Sequence, residues 1–358
     1  MHNVVLKVSW PEASRLEEWK IIKHAETLSE DDKLIGVHIP EVKYARDFGH
    51  YSTHHIRDFL GLQQGGSPGT LTLRLIVMNC LGPIYDLDGK QFWKAFWECV
   101  ACMRFTFCFW TFTDITPGHH RLWVNGINHG DISLNNLMYD TSATNGPAGI
   151  LNDFDLAIRV DHSATNDDRT GTIPFMTIDM LNGELDDRIP QLYRHDVESF
   201  IWVLAYITVA KIEYEDCTIE ITPLLKVEAW FKDDNQADRN AHISSKQSFH
   251  SAYGNSHPVS YGYRDYVSVV KQMIRYWSNF HESLEATKYT QHPDWPTPMP
   301  IRKPLTGEPE VEDPRGLMRL FITTVEELLG GRFSGDGLVE VKTLLLEAIE
   351  TPIVTGKI

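Results

Sequence analysis

His129-Gly130-Asp131-Ile132-Ser133-Leu134-Asn135-Asn136 is followed, seventeen positions beyond Asn136, by Asp153-Phe154-Asp155. An acid, an amide five residues on and a second acid after an apolar strand form a set with definite chemistry. Asp131 can receive or orient the proton of an attacking hydroxyl. Asn136 and Asp153 offer hard oxygen ligands to Mg²⁺ ions on phosphate groups. Asp and Asn are common in turns, so a lone His-x-Asp would carry little. The amide at its spacing and the second acid, in that order, carry the reading.

The flanks support it. Leu137-Met138-Tyr139 is a short apolar run, residues 141–149 are rich in Ser, Thr, Asn, Gly and Pro, and Ile150-Leu151 resumes the apolar pattern. That is a strand, a turn and a strand. Such a hairpin holds Asn136 and Asp153 at the same end.

Further segments fall in the same order. Arg169-Thr-Gly-Thr-Ile-Pro-Phe-Met-Thr-Ile-Asp-Met-Leu181 resembles the end of a protein-kinase activation segment, G-T-x-x-Y-M-A-P-E, with Phe175 for the Tyr and Thr177-Ile178-Asp179 for A-P-E. His195-Asp196-Val197-Glu198-Ser199 then leads into Phe200 to Ile207, an apolar run too short to span a bilayer. A helix apolar all round is a buried helix. At the other end, Val4-Val5-Leu6-Lys7-Val8 reads as a strand, and a helical stretch from about Ser14 places Glu18, Ile22 and Ala25 on one face. Leu73 to Cys80 reads as an inner strand, with Leu81-Gly82 after it.

Together these segments resemble the eukaryotic protein-kinase superfamily. Asp131 and Asn136 fit H-R-D-L-x-x-x-N, Asp153 stands where D-F-G begins, and Lys7 fits V-A-I-K. More narrowly the chain resembles the fungal-type protein kinase family, which carries H-[RG]-D-I-S-x-N-N. That family also carries a Lys-x-x-Trp strand (Lys7 to Trp10) and H-D-x-E-S (His195 to Ser199). The resemblance runs from about Lys7 to about Ala252.

It implies an α+β, protein-kinase-like two-lobe fold with a truncated N-lobe and a mainly helical C-lobe. Residues 1–81 would be the partial N-lobe and 82–290 the C-lobe. Residues 291–358 would be a Pro-rich segment and helices packing on that lobe. It implies a Ser/Thr protein kinase using ATP and Mg²⁺ on a protein substrate. Asp131 would be the base, Asn136 and Asp153 the metal ligands, and Lys7, held by Glu18, the partner of the phosphates. Adenine would lie against Met78, Cys80 and Leu81, and Asp196 would hold the catalytic loop's backbone.

Several positions depart from the kinase pattern. Gly130 replaces the Arg of HRD, so the loop has no cation to clamp a phosphorylated activation segment. Residues 159–179 carry Ser163, Thr165, Thr170 and Thr172, and a phosphate there is expected not to activate the enzyme. Ser133 stands in place of a Lys. Asp155 replaces the Gly of DFG, giving up backbone freedom or adding a carboxylate near the metals. Met1 comes six residues before Lys7, leaving no room for two strands and a glycine-rich loop. The expectation is a fragment, an incorrect gene model or weakened nucleotide binding. Residues 103–118, with Phe105, Phe107, Phe109, Trp110 and Phe112, read as an insertion; the alternative is a longer, more apolar helix.

Composition bounds the rest. A chain of 358 residues can bury a large core in two lobes. A formal charge of −16 argues against nucleic acid or an anionic membrane as partner. Five cysteines, with no apolar signal in residues 1–20, point to reduced thiols in the cytoplasm or nucleus. Cys99 and Cys102 make a lone C-x-x-C with no second pair to complete a zinc site. The pairs His54-His55 and His119-His120 lack further ligands at a recognisable spacing. The sequence leaves the oligomeric state unknown. Two alternative functions stay open: a kinase-fold scaffold with weak or no catalysis, and a small-molecule phosphotransferase of the aminoglycoside or choline kinase type. The Gly171 to Asp179 segment favours protein substrates over the latter.

Overall fold

A computed structural model of the chain describes residues 3–31, 38–62, 69–87, 89–101, 122–123, 125–140, 142, 147–159, 171–182, 192–215, 227–231, 236–252, 270–271, 273–275 and 277–278. The proposed insertion, Cys102, His119-His120, Ser163, Thr165, Thr170 and everything from 291 onward lie outside the described residues. The chain divides into two compact units, one holding the described residues up to 159 and the other those from Gly171 on. Helices and small sheets make the class the α+β expected. No helix among the described residues is long and apolar enough to cross a membrane.

The first unit is built on a three-stranded antiparallel sheet, β1 (Val4–Ser9), β2 (Val42–Ser52) and β3 (Thr72–Asn79), in the order β1-β3-β2. Central β3 alternates, burying Arg74, Ile76 and Met78 on one face. Lys7 is opposite Ile76, and Asp47 is opposite Arg74. Directly opposed residues share a face of the sheet, so the register alone brings Lys7, Arg74 and Asp47 to the inner side. Arg74 answers Asp47 with two bonds of 3.0 Å.

Helix α1 (Glu18–Asp31) covers that region with Ile21, Ile22 and Ala25 fully buried. It begins four residues later than its apolar pattern predicts. The preceding residues are tied to the sheet instead: Glu12 bridges Leu71, Ala13 N–H donates to Thr70 O at 2.6 Å, and Thr72 N–H donates to Pro11 O at 3.0 Å. Those bonds hold the backbone extended where a helix would need it coiled.

A short helix α2 (Thr53–Phe59) follows β2, and His54 and His55 bond locally there, to Asp58 and Ser52. Helix α3 (Gly89–Ala101) is buried on nearly every side through Phe92, Trp93, Phe96, Trp97, Cys99 and Val100. It packs on the expected hairpin, β6 (Leu137–Asp140) with β7 (Ala148–Leu151), in register Leu137 to Leu151. At Gly149 an added Cβ would lie 2.0 Å from Ala95 O, so helix and strand approach this closely only because the residue is glycine. Gly149 N–H donates to Glu98 Oε2 at 2.9 Å, and its carbonyl is 2.7 Å from His38 Nδ1. Two-residue strands β4 (Gly82–Pro83), β5 (Ile127–Asn128) and β8 (Ile158–Arg159) complete the unit, β4 pairing with β6 and β5 with β8. The lobe boundary expected at residue 81 lies inside this unit.

The second unit centres on helix α5 (Tyr193–Glu215), preceded by the one-and-a-half-turn α4 (Ile178–Asn182) and followed by α6 (Gln236–Ala252). Phe200 to Ala205 and Ile207 of α5 are buried, as the continuous apolar run requires. Trp202, Trp230 and Phe249 pack edge to face, with centroids 5.2 to 6.4 Å apart. Asp196 is buried in the first turn of α5.

Candidate active site

Strand β1, helix α1 and the segment after β7 converge on one ammonium group. Lys7 Nζ lies 2.8 Å from Glu18 Oε2, 2.7 Å from Asp153 Oδ1 and 2.8 Å from Asp155 Oδ2. Glu18 is fully buried, and its other oxygen accepts the Phe154 N–H at 3.1 Å. One carboxylate therefore fixes both the lysine and the backbone of the acidic segment.

The electrostatics follow from burial and crowding. Burial works against the charge on Lys7, but Glu18, Asp153 and Asp155 outweigh it and raise the group above its ordinary value. Burial pushes Glu18 up to about 8; Lys7 pulls it back, and the two aspartates push it further. Three carboxyl groups share one cation.

Asp153 holds the left-handed backbone conformation, φ 66°, which Asp tolerates better than most residues. Its own Oδ1 accepts the Asp155 N–H at 3.3 Å, closing a small turn. At Asp155 the sequence left two outcomes open, and the structure selects the second. The positive φ falls at Asp153, so residue 155 has no need of glycine, and its carboxylate joins the cluster. Asp155 Oδ1 is also 4.0 Å from Arg74.

Asp131 and Asn136 form a second group. Asn136 Nδ2 donates to the Asp131 carbonyl at 2.8 Å and to Asp131 Oδ2 at 3.0 Å. With its N–H groups turned to Asp131, the amide keeps Oδ1 as its ligand atom. Gly130, φ 75°, supplies the turn that precedes Asp131. Backbone and imidazole then join the two groups. Asn152 N–H donates to Asn136 O at 2.9 Å. His129 Nε2–H donates to Asn152 O at 3.0 Å, and His129 Nδ1 accepts the Asp131 N–H at 3.3 Å. Those partners call for the neutral ring with its proton on Nε2. Phe154, fully buried, stacks edge-on against His129 at 4.8 Å.

The structure thus brings Lys7, Glu18 and Asp153 into contact, pairs Asp131 with Asn136, and bonds the two groups through residues 129 and 152. It does not bring Met78, Cys80 and Leu81 into this network. Met78 is buried under the sheet, Cys80 is exposed with its N–H on Asn3 O at 3.1 Å, and Leu81 is half-buried. No hydrogen bond or ion pair among the described residues links these three to the acidic cluster.

Sequence reasoning missed the bridging work of His129, which it used only as a spacing marker, and the Arg74–Asp47 pair. The second has a signal in the strand register, once β2 is known. Among the described residues, the one group of His, Cys, Asp or Glu compact enough for a metal ion is Glu18, Asp153 and Asp155, with ligand atoms within 4.8 Å. Hard oxygens in excess of their one lysine fit a divalent cation such as Mg²⁺.

The family model of fungal protein kinases matches residues 108–208. No curated protein matches the chain in sequence. Among solved structures, vaccinia related kinase 3 is similar at 13% identity and a TM-score of 0.42, covering 79% of this chain and 82% of its own. The yeast RNA polymerase II CTD kinase CTDK-1 complex is similar at 13% identity and a TM-score of 0.35, covering 68% of this chain and 60% of that one.

Proposed function

Residues 108–208 match the family model of fungal protein kinases, and on that premise we propose that the chain transfers the γ-phosphoryl group of ATP to a Ser or Thr hydroxyl of a protein. The observation that carries this reading is the placement of Lys7 between Glu18 and Asp153, bonded through His129 and Asn152 to the Asp131–Asn136 pair. ATP with Mg²⁺ supplies the phosphoryl group and the cations that neutralise its charge.

The chain's own residues do the rest by position. Asp153 and the Asn136 oxygen hold the metal. Lys7 meets the phosphates, and Glu18 keeps it from swinging away. Asp131, steadied by two bonds from Asn136, orients the acceptor hydroxyl and takes its proton. Met78, Cys80 and Leu81 line the adenine. A cytoplasmic or nuclear location fits the odd number of cysteines, five.

One observation favours a second reading, a kinase-fold scaffold without turnover. Lys7 is engaged by three carboxylates, so phosphate must displace at least one of them to reach it.

The test is phosphate transfer from labelled ATP to a mixed protein acceptor with Mg²⁺, followed by phosphoamino-acid analysis. Phosphoserine or phosphothreonine, lost in Asp131→Asn, supports the reading. Transfer undiminished in that variant, or none in the parent, counts against it.

A further inference from the structure

The three carboxylates around Lys7 are not equally placed to let it go. Glu18 is fully buried, and its second oxygen holds the Phe154 N–H at 3.1 Å, so its departure would strip two partners at once. Asp153 Oδ1 serves both Lys7, at 2.7 Å, and the Asp155 N–H, at 3.3 Å. Asp155 has fewer ties. Its Oδ2 lies 2.8 Å from Lys7 Nζ, while its Oδ1 is shut off from water and makes no hydrogen bond among the described residues. Burial opposes the charge on Lys7, and of the attractions that outweigh it Glu18 is the largest, Asp153 next and Asp155 the smallest.

The unbonded oxygen faces a cation: Arg74 Nη1 is 4.0 Å from Asp155 Oδ1. Alternation along β3 puts Arg74 on the buried face with Ile76 and Met78, where a guanidinium has to be answered. Asp47, opposite it in register, takes Nε and Nη2 at 3.0 Å each. A guanidinium carries its donors in one fixed plane, so this fork still leaves the N–H groups of Nη1 for a second carboxylate. A charge-assisted bond of this kind forms at about 2.7–2.9 Å, so Asp155 has only roughly an ångström to close. The receiver is held still by Asp47, and the carboxylate is the part that moves.

We propose that Asp155 is the carboxylate that yields Lys7 to the nucleotide phosphates, and that Arg74, a positioning residue, receives it. The inference rests on the nucleotide reading of this site, and it removes the crowding that favours a scaffold. The exchange leaves no ion stranded. Lys7 passes from Asp155 to phosphate, Asp155 passes from Lys7 to Arg74, and Glu18 and Asp153 keep their places. Nucleotide binding then loses one contact of Asp155 and gains another, so Arg74 sets the affinity of a group it does not touch. Without a receiver, an incoming polyanion meets Asp155 beside the lysine, and like charges repel.

Calorimetric titration with ATP–Mg²⁺ compares the full-length parent with Asp155→Asn, Arg74→Gln and the double variant. Asp155→Asn has no charge to hold Lys7 and should lower Kd by about threefold or more. Arg74→Gln leaves Asp155 on Lys7 and should raise Kd by about fivefold or more. The double variant should bind within about twofold of Asp155→Asn, because Arg74 acts only through Asp155. Arg74→Gln equally harmful in the Asp155→Asn background overturns the proposal and makes Arg74 a structural residue or a direct phosphate contact. Weaker binding in Asp155→Asn also overturns it and assigns Asp155 to the metal. A crystal structure with a non-hydrolysable ATP analogue and Mg²⁺ should show Asp155 on Arg74 and off Lys7; Asp155 still on Lys7 contradicts the exchange. Should Arg74→Gln fail to fold, the same cycle is run in an Asp47→Asn background, where no carboxylate is left stranded. Binding in the parent with an uncoupled cycle sinks the exchange alone. No binding in the parent or in Asp155→Asn sinks the nucleotide reading, and the exchange with it.

Discussion

The backbone N–H of Phe154 donates to Glu18 Oε1 at 3.1 Å, so one helix residue sets the position of the acidic segment as well as that of Lys7. Glu18→Ala leaves this buried N–H without a partner, which costs about 1–3 kcal/mol. Glu18→Gln keeps the acceptor and loses only the charge. The alanine variant should melt several degrees below the glutamine variant. Thermal unfolding of the two, side by side, checks this; equal melting temperatures would mean the Phe154 bond contributes nothing.

Asp153 and Asp131 should separate by phenotype. Asp153→Asn removes a charge from the metal position and should abolish metal-dependent nucleotide binding. Asp131→Asn keeps the bond to Asn136 available and should leave nucleotide binding nearly intact while lowering turnover by about 10² to 10⁴, the usual effect of losing a general base. Calorimetric titration with ATP–Mg²⁺ and a turnover assay on both variants decide it. Parent-like binding in both would make the assignment wrong.

Much of this site is legible in the sequence because it is local. The 129–136 spacing, the hairpin and the 153–155 segment lie within one short stretch, and turn residues mark where the chain reverses. Strand β2 is not legible: residues 42–52 mix Lys43, Arg46, Asp47, Gly49 and His50 with few apolar side chains. It is an edge strand, exposed along most of its length, so alternation has little burial to record. With β2 unseen, Arg74 has no visible partner. Asp155 reads as a lost glycine until the backbone shows which residue carries the positive φ. The start of α1 is misplaced for a similar reason, since its register is decided by bonds to Thr70 and Leu71, far along the chain.

Gly130 tests the activation segment. Its φ of 75° makes any other residue strained there, by about 1–2 kcal/mol. Gly130→Arg should therefore lower stability and bring no gain in turnover. Thr165→Ala with Thr170→Ala should leave activity within about twofold, because no charge-assisted pair with position 130 is lost. A double variant that loses most of its turnover while still binding nucleotide would contradict this.

His195 gives the second unit a defined acid sensitivity. Burial, helped by Arg194, pulls it down to about 4, against the pull of Asp179, Glu198 and Asp196. Its Nδ1 accepts the Leu192 N–H at 3.2 Å, so it is held neutral. The unfolded chain binds this proton near pH 6.5 and the folded protein only near 4. The contribution is thus complete above about 6.5 and is lost as pH falls through about 4. The loss is up to roughly 3 kcal/mol. His195→Asn keeps an acceptor for Leu192 and should flatten the fall in melting temperature between pH 7 and 4.5. An equally steep fall in the variant would assign the sensitivity elsewhere.

The central claim is that Lys7, Asn136 and Asp153 form a working nucleotide–metal site, and thermal unfolding with and without ATP–Mg²⁺ tests it most directly. Ligand at about a hundredfold over its Kd adds roughly 2.7 kcal/mol to a protein that binds it only when folded. The account predicts a rise of a few degrees in Tm, present in the parent and absent in Asp153→Asn. No rise with nucleotide, with or without metal, would contradict it and favour the scaffold.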